Sequence, residues 1–310
     1  MERLVENIGG LKEKIKIDPE EITIGVINFI KDRINFFERS GAIFGISGGI
    51  DSACIAGLLS RSIKKNRILG LIMPERDSDK NTVRDAELVA HRFGIKTRII
   101  DITKTLESFG IYETLPGRFY SDKRESLGKI IKKAYRLIPN KKNPFLGGLL
   151  GGKYQWIREV HSYYRIKHRA RMVNLYYYGE KMNYLIIGTS NKTEDLVGFF
   201  VKYGDGAADI MPIADLYKTQ VRKLSEYLEV PEAIIEKDAT PDLLPGITDE
   251  VAIGLSYEKL DLILLGLESN IPDVIIQKEI GCTEDTIEYV KRLITLSNHM
   301  RNLPEKWTNG

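Results

Sequence analysis

The sequence has little from which to build a cross-linked, membrane-bound or strongly charged protein. Its 310 residues include two cysteines, Cys54 and Cys282, too few for a disulfide framework or a cysteine-ligated metal site. Cys54 falls inside an apolar run and reads as a small buried hydrophobe; Cys282 follows Gly281 near a turn. No uncharged apolar stretch is long enough to span a bilayer, and the N-terminus lacks the apolar segment of a signal peptide. A reducing cytoplasm is therefore the expected setting, with no membrane partner. The formal net charge of +3 is small for this length: it makes no case for nucleic acid and suits an anionic small substrate. Hydrophobic content of 43% and charged content of 29% fit a soluble globular chain that can fill one substantial core.

What is present is concentrated in one stretch. Mostly apolar residues 42–46 run into the polar turn Ser47-Gly48-Gly49, then into a helix-forming apolar run that ends at Leu59. This predicts a buried strand, a sharp turn and a helix starting near Asp51. The glycines allow backbone angles and close approach that a Cβ forbids. Successive amides of such a turn, backed by a helix N-terminus, make an anion site, and Ser47 and Ser52 can add hydroxyl donors. Asp51 beside a bound phosphate needs a bridging cation, which magnesium would supply. The turn is neither the lysine-bearing phosphate loop nor the Gly-x-Gly-x-x-Gly dinucleotide turn. Its plainer meaning is a tight strand-to-helix connection.

Along the rest of the chain, 20–38 is spaced as a packed helix opened by Asp18 and Pro19. Strands are predicted at 67–73 and 96–101 around an amphipathic helix at 82–93, giving a doubly wound, mostly parallel α/β sheet. The charged segment 74–81 lies where ligand-edge loops lie, or is a solvated connection. Residues 111–160 form a basic and glycine-rich insert, helical or irregular, in which 143–152 is a lid, a dimer contact or a disordered loop. Its basic residues form a solvated helix face or, less readily, an RNA surface.

A helix is predicted over 166–178, on which Arg169 and Arg171 cannot share a direction. Each is a surface arginine or a bidentate grip on phosphate or carboxylate. A strand at 183–189 puts Thr189 at the carboxyl edge of the sheet, where open parallel sheets bind ligands. Glu194 joins Asp51 as a magnesium carboxylate, or is a routine helix-start acid. The loop 202–209 carries Asp205 and Asp209 among glycines, either toward a polar ligand or simply for turn geometry. Asp215 is expected to cap a helix whose first turn holds Lys218; a nearby anion would offset that unfavourable placement. Helices are expected at 257–265 and 283–296, and 297–310 is a closing flap or a frayed end.

The central string resembles the pyrophosphate-binding loop of the ATP pyrophosphatases. The second half is similar to the ammonia-dependent NAD synthetase family within that adenylating amidotransferase superfamily. The strings that carry the likeness begin at Arg169, Gly188, Lys202, Asp215, Thr240 and Ser256, in the family's order. The resemblance implies an adenine nucleotide α-hydrolase-like fold, a single domain over 1–310, and a cytoplasmic homodimer. It implies amidation of nicotinate adenine dinucleotide (deamido-NAD) by ammonia, through an acyl-adenylate, to give NAD, AMP and pyrophosphate. By the same resemblance Ser47, Gly48, Gly49, Ile50, Asp51, Ser52, Ala53, Thr189, Lys218 and Thr240 bind ATP, and Asp51 with Glu194 holds Mg2+. Arg169, Lys202 and Asp209 contact deamido-NAD, with His299 and Arg301 standing where the family has a His-Lys pair; Asp205 neighbours the nicotinate carboxylate or ammonia. Asp51, Lys218 and Asp205 are the expected catalytic residues. The insert and the string His299-Met300-Arg301 depart from the family's pattern. No glutaminase domain accompanies these motifs, so free ammonia or a separate glutaminase supplies nitrogen. The alternatives are an adenylating amidotransferase acting on another carboxylate, or a nucleotide-binding regulatory or RNA-associated protein.

Overall fold

Alternation along the strands sorts their side chains onto two faces of one sheet. The computed structural model describes residues 10–114, 143–152, 155–240, 247–304 and 306–307. In chain order the described elements are α1 (Leu11–Lys14), α2 (Pro19–Phe36), β1 (Gly41–Gly45), α3 (Ile50–Ser62), β2 (Ile68–Ile72), α4 (Thr82–Phe93) and β3 (Lys96–Ile99). Then come α5 (Thr103–Glu107), α6 (Ile111–Thr114), α7 (Pro144–Leu149), α8 (Gln155–Met182), β4 (Tyr184–Ile187), α9 (Lys192–Val197) and α10 (Lys218–Tyr227). The rest are α11 (Glu232–Ile235), α12 (Asp249–Ile253), α13 (Tyr257–Glu268), α14 (Asp273–Ile280) and α15 (Glu284–Arg301).

All strand pairings are parallel, in the order β3-β2-β1-β4. Ala42, Phe44, Leu185 and Ile187 point into a core shared with α2, α3, α4 and α10; Ile43, Leu71 and Ile186 point the other way, into a core closed by α8. A third apolar cluster unites α9 with α13, α14 and α15. The chain leaves β1 toward β2 on one side and returns to β4 on the other. The carboxyl ends of β1 and β4 therefore flank the crevice at which open α/β sheets take ligands. Edge strand β3 is exposed along its length and carries Lys96 and Arg98, charges that discourage pairing with another sheet.

Helix starts follow their local chemistry. Asp18 accepts from the amides of Glu20 and Glu21 with Pro19 behind it, as the sequence predicts. Asp215 does not cap the next predicted helix. That helix begins at Lys218, and Asp215 pairs instead with Lys192 at 3.1 Å. The segment 143–152 is likewise no loose loop: Asn143 caps α7 through the Phe145 amide, and Leu146 is buried. Apolar residues at helical spacing explain the packing, despite glycines that lower helix propensity. The last helix runs on to Arg301, so the start of the segment 297–310 belongs to a packed helix. Residues 115–142 and 153–154 of the insert, with its lysines and arginines from Lys123 to Lys142, lie outside the described residues. Among the described residues no helix is long and apolar enough to cross a membrane.

Candidate active site

The β1–α3 turn presents backbone and hydroxyl groups to a cavity of about 870 Å3. Gly48 has φ +76, and a Cβ there would lie 2.7 Å from that of Asp85, so the turn can press against α4 only with glycine. Ser47 and Ser52 hydroxyls stand 3.1 Å apart, and Ser52 Oγ both receives the Ser47 amide and donates to the Gly49 carbonyl. Gly49 begins α3 without a side-chain cap. The helix N-terminus at the cavity thus offers amides and the positive end of the dipole to an anion.

Facing this turn is a lysine between two acids. Lys218 Nζ lies 2.5 Å from Asp51 Oδ2 and 3.2 Å from Glu194 Oε1. The three side chains come from the starts of α10, α3 and α9, and all line the cavity. Asn191 caps α9 in a reciprocal capping box with Glu194, and its Nδ2 donates to Asp51 Oδ1 at 2.9 Å. One residue therefore fixes both carboxylates. Lys218 itself is held from behind: its amide donates to Thr193 Oγ1 at 2.9 Å, and Thr193 donates to Asp261. The other Asp261 oxygen accepts the amide and hydroxyl of Thr219.

Burial works against the Lys218 ammonium, but Asp51, Glu194 and Asp249 outweigh it and hold its pKa above the ordinary lysine value. Burial also pushes the Glu194 carboxyl up, against the pull of Lys218. Asp249 is pushed up to about 6, chiefly by burial and against Lys218 and the Tyr257 hydroxyl. Asp249 Oδ1 is buried without a hydrogen-bond partner among the described residues. Three acids thus surround one lysine, and burial holds two of them, Glu194 and Asp249, toward their neutral forms.

Thr189, Thr240 and Asp205 also line the cavity, together with His168 and Arg171 of α8. Arg169 and Arg171 do diverge: Arg169 donates to the Lys202 carbonyl, whereas Arg171 donates to that of Met73 and faces the cavity. The expected second-substrate residues stand elsewhere. Lys202 Nζ donates to the His299 carbonyl, and Asp209 accepts the Ile186 amide at 2.9 Å. Arg301 donates to the carbonyls of Asp195 and Leu196, clamping α15 onto the end of α9. None of Arg169, Lys202, Asp209, His299 and Arg301 lines the cavity of the single chain.

The model of the family described as NAD synthase matches residues 23–119 and 157–304. NH(3)-dependent NAD(+) synthetase of Thermotoga maritima is 42% identical over 286 residues, which is 90% of this chain and 96% of that protein. The chain belongs to the NAD synthase family. NH(3)-dependent NAD(+) synthetase of Methanocaldococcus jannaschii is 36% identical over 285 residues, 92% of this chain and 95% of its own. Among solved structures, NMN synthetase from Francisella tularensis superposes with a TM-score of 0.70 at 25% identity, covering 95% of this chain and 100% of that one. NH3-dependent NAD synthetase from Campylobacter jejuni, solved with a nitrate ion, gives 0.68 at 27% identity, covering 94% and 100%. The fold is that of NAD synthase, a mostly parallel sheet flanked by helices. The family match leaves out 120–156, inside the basic and glycine-rich insert.

Sequence reasoning missed the residues that hold others in place. Asp261 is fully buried in the apolar run Leu260 to Leu264; a lone acid in such a run is the signal that it has partners. Asn191, Thr193 and Asp249 carried no such mark. Nor did Glu75, Asp77 and Lys167, which form a second lysine–carboxylate cluster beneath the 74–81 loop. That loop is therefore anchored by buried charges rather than being a solvated connection.

Proposed function

We propose that this chain amidates deamido-NAD with ammonia at the expense of ATP, through an acyl-adenylate, and releases NAD, AMP and pyrophosphate. The observation that carries the reading is the Asp51–Lys218–Glu194 cluster facing an uncapped helix N-terminus. The Lys218 ammonium stands between the carboxylates as a cation would. With Asp249 nearby, three acids share the one ammonium, and a divalent ion would add the charge that favours the ionised form of all three. Among the described residues no group of three or more histidine, cysteine or acidic side chains is placed to hold a metal. Asp51 and Glu194 would thus hold magnesium with phosphate oxygens and water completing the shell, the arrangement that ion prefers. When bound, magnesium would withdraw charge from the phosphates.

In the first step an oxygen of the pyridine carboxylate attacks the α-phosphorus, and the bond to the bridging oxygen breaks with its electron pair leaving on pyrophosphate. The turn residues 47–53 and Lys218 stabilise that departing charge, while Thr189 and Thr240 position the nucleotide. In the second step ammonia attacks the activated carbonyl and AMP leaves. Adenylation is needed because an unactivated carboxylate would have to expel oxide. Ser47 and Ser52 act as phosphate donors rather than as acylated nucleophiles.

Arg169, Lys202, Asp209 and His299 belong to the deamido-NAD site in this reading. Arg301 joins them only by releasing the α9 carbonyls. Their position off the cavity supports a homodimer in which a second copy completes the site. Exposed Ile24 and Phe36 on α2, with Val173 and Tyr177 on α8, supply apolar surface for it. The chain acts as a single domain carrying the 111–160 insert and a C-terminal flap, and takes free ammonia or the product of a separate glutaminase. One experiment tests the reaction: incubation with deamido-NAD, ATP, magnesium and ammonia yields NAD and AMP in equal amounts. ADP and phosphate as products would overturn it. Likeness to an NMN synthetase structure favours one second reading, amidation of a mononucleotide carboxylate by the same chemistry. Competition between deamido-NAD and its mononucleotide counterpart decides between them.

A further inference from the structure

We propose that His168 takes the proton from ammonium that frees the nucleophile for amide formation. This rests on the ammonia-using reading above and adds to it a proton acceptor that the reading leaves unnamed. His168 is carried by α8 onto the wall of the cavity, opposite the 202–209 loop. Its Nδ1 is 3.6 Å from Asp205 Oδ2, too long for a hydrogen bond but within ion-pair range. Asp205 is fixed from its other side, where Oδ1 accepts the Val201 amide at 2.7 Å. The contact is built rather than incidental. A Cβ on Gly204 would come 2.8 Å from that of His168, so only glycine lets the loop seat against this side chain.

The charges around His168 suit a base. Arg165 and Arg171, on the same helix, line the same cavity and favour neutral imidazole; Asp205, from the facing loop, favours the protonated form. The neutral imidazole carries the lone pair a general base needs, and the facing Asp205 carboxylate stabilises the imidazolium that forms. Ammonium has no lone pair and must lose a proton before it can attack. Asp205 draws the cation and His168 Nδ1 accepts its proton. The nitrogen pair then forms the bond to the acyl-adenylate carbonyl. The carbonyl–oxygen bond to the phosphate breaks with its electrons leaving on AMP, and the second nitrogen proton passes to water.

The test uses His168→Ala and His168→Gln in the full chain, with three readouts. Deamido-NAD-dependent ATP–pyrophosphate exchange without ammonia reports adenylation, and amide formation is followed with ammonium and with hydroxylamine. Hydroxylamine is unprotonated at neutral pH and needs no base before attack. Both variants are expected to keep wild-type exchange and hydroxylamine turnover. Their ammonium-dependent kcat at pH 7 should fall about 100-fold, with the gap narrowing as pH rises and free ammonia accumulates. Equal losses with both nucleophiles, or no loss with ammonium, would overturn the role of His168. Absence of exchange in the wild-type protein would instead overturn the adenylation reading itself.

Discussion

Among the described residues a lysine is twice buried between two carboxylates, and the two clusters have opposite surroundings. Lys167 meets Glu75 at 2.9 Å and Asp77 at 3.0 Å, with all three side chains no more than 5% exposed. Tyr112 donates to Glu75, and Tyr163 and Arg76 donate to Asp77, so these carboxylates are closed off by protein. The side chains of Lys218, Asp51 and Glu194 are 8%, 19% and 15% exposed and face the cavity, beside Asp249, one oxygen of which has no hydrogen-bond partner among the described residues. The same residue types thus make a satisfied joint in one place and an unsatisfied site in the other. In the proposed reaction the working cluster is the one open to the cavity.

Removing each lysine should separate the roles. Lys167→Met strands two buried carboxylates and should cost about 3–5 kcal/mol of stability in urea unfolding. Magnesium should recover none of it. Lys218→Met should lower the adenylation rate by about 10²–10³-fold, the usual effect of losing one transition-state charge partner. Any thermal destabilisation of that variant should shrink when magnesium is added, because the ion can occupy the place between Asp51 and Glu194. A magnesium-independent loss in both variants would erase the distinction. Asp51→Asn sharpens it from the acid side: magnesium-dependent stabilisation and adenylate formation should both disappear while urea unfolding of the magnesium-free protein changes little.

The clusters should also respond to pH with opposite signs. Burial raises the Asp77 pKa, but hydrogen bonds from Tyr163 and Arg76 and the charge of Lys167 outweigh it and hold it below the ordinary value. Its folded form binds the proton less tightly than the unfolded chain, so its contribution is present above the unfolded carboxylate pKa and lost as pH falls. Asp249, held up to about 6, does the reverse. The folded state keeps its proton longer, and stability is lost as pH rises from the unfolded value toward 6. Melting curves without magnesium should show Asp77→Asn flattening the acid limb and Asp249→Asn flattening the loss between about pH 4 and 6. Asn at 249 keeps an acceptor for Tyr257.

The smallest effect concerns thiols. Burial pushes Cys54 up to about 12, while Cys282 is only half-buried and more modestly raised. Labelling of the folded protein should occur at Cys282 alone and disappear in Cys282→Ser.

The same contrast explains what was legible in the sequence. Strands β1, β2 and β4, the 47–53 turn and the helix at 82–93 were readable because apolar period and glycine placement are local signals. Asp51, Glu194 and Lys218 were legible through motifs, but their convergence was not. It depends on crossovers that bring the starts of α3, α9 and α10 together. Lys167 sits next to His168 in a run of charges that looks solvated, and its partners are Glu75 and Asp77, contributed by a distant loop. Periodicity cannot reveal a pairing across that distance. Helix α7 was missed because its glycines weaken the helical signal while tertiary contacts with α8 and α15 supply the stability.

The central claim is that the cavity joins substrate carboxylate to the α-phosphate of ATP. It is tested most directly by supplying deamido-NAD labelled with oxygen-18 in its pyridine carboxylate and measuring the label in the nucleotide product by mass spectrometry. Transfer of one labelled oxygen to AMP is the predicted result. Unlabelled AMP, or label appearing in inorganic phosphate, would contradict it.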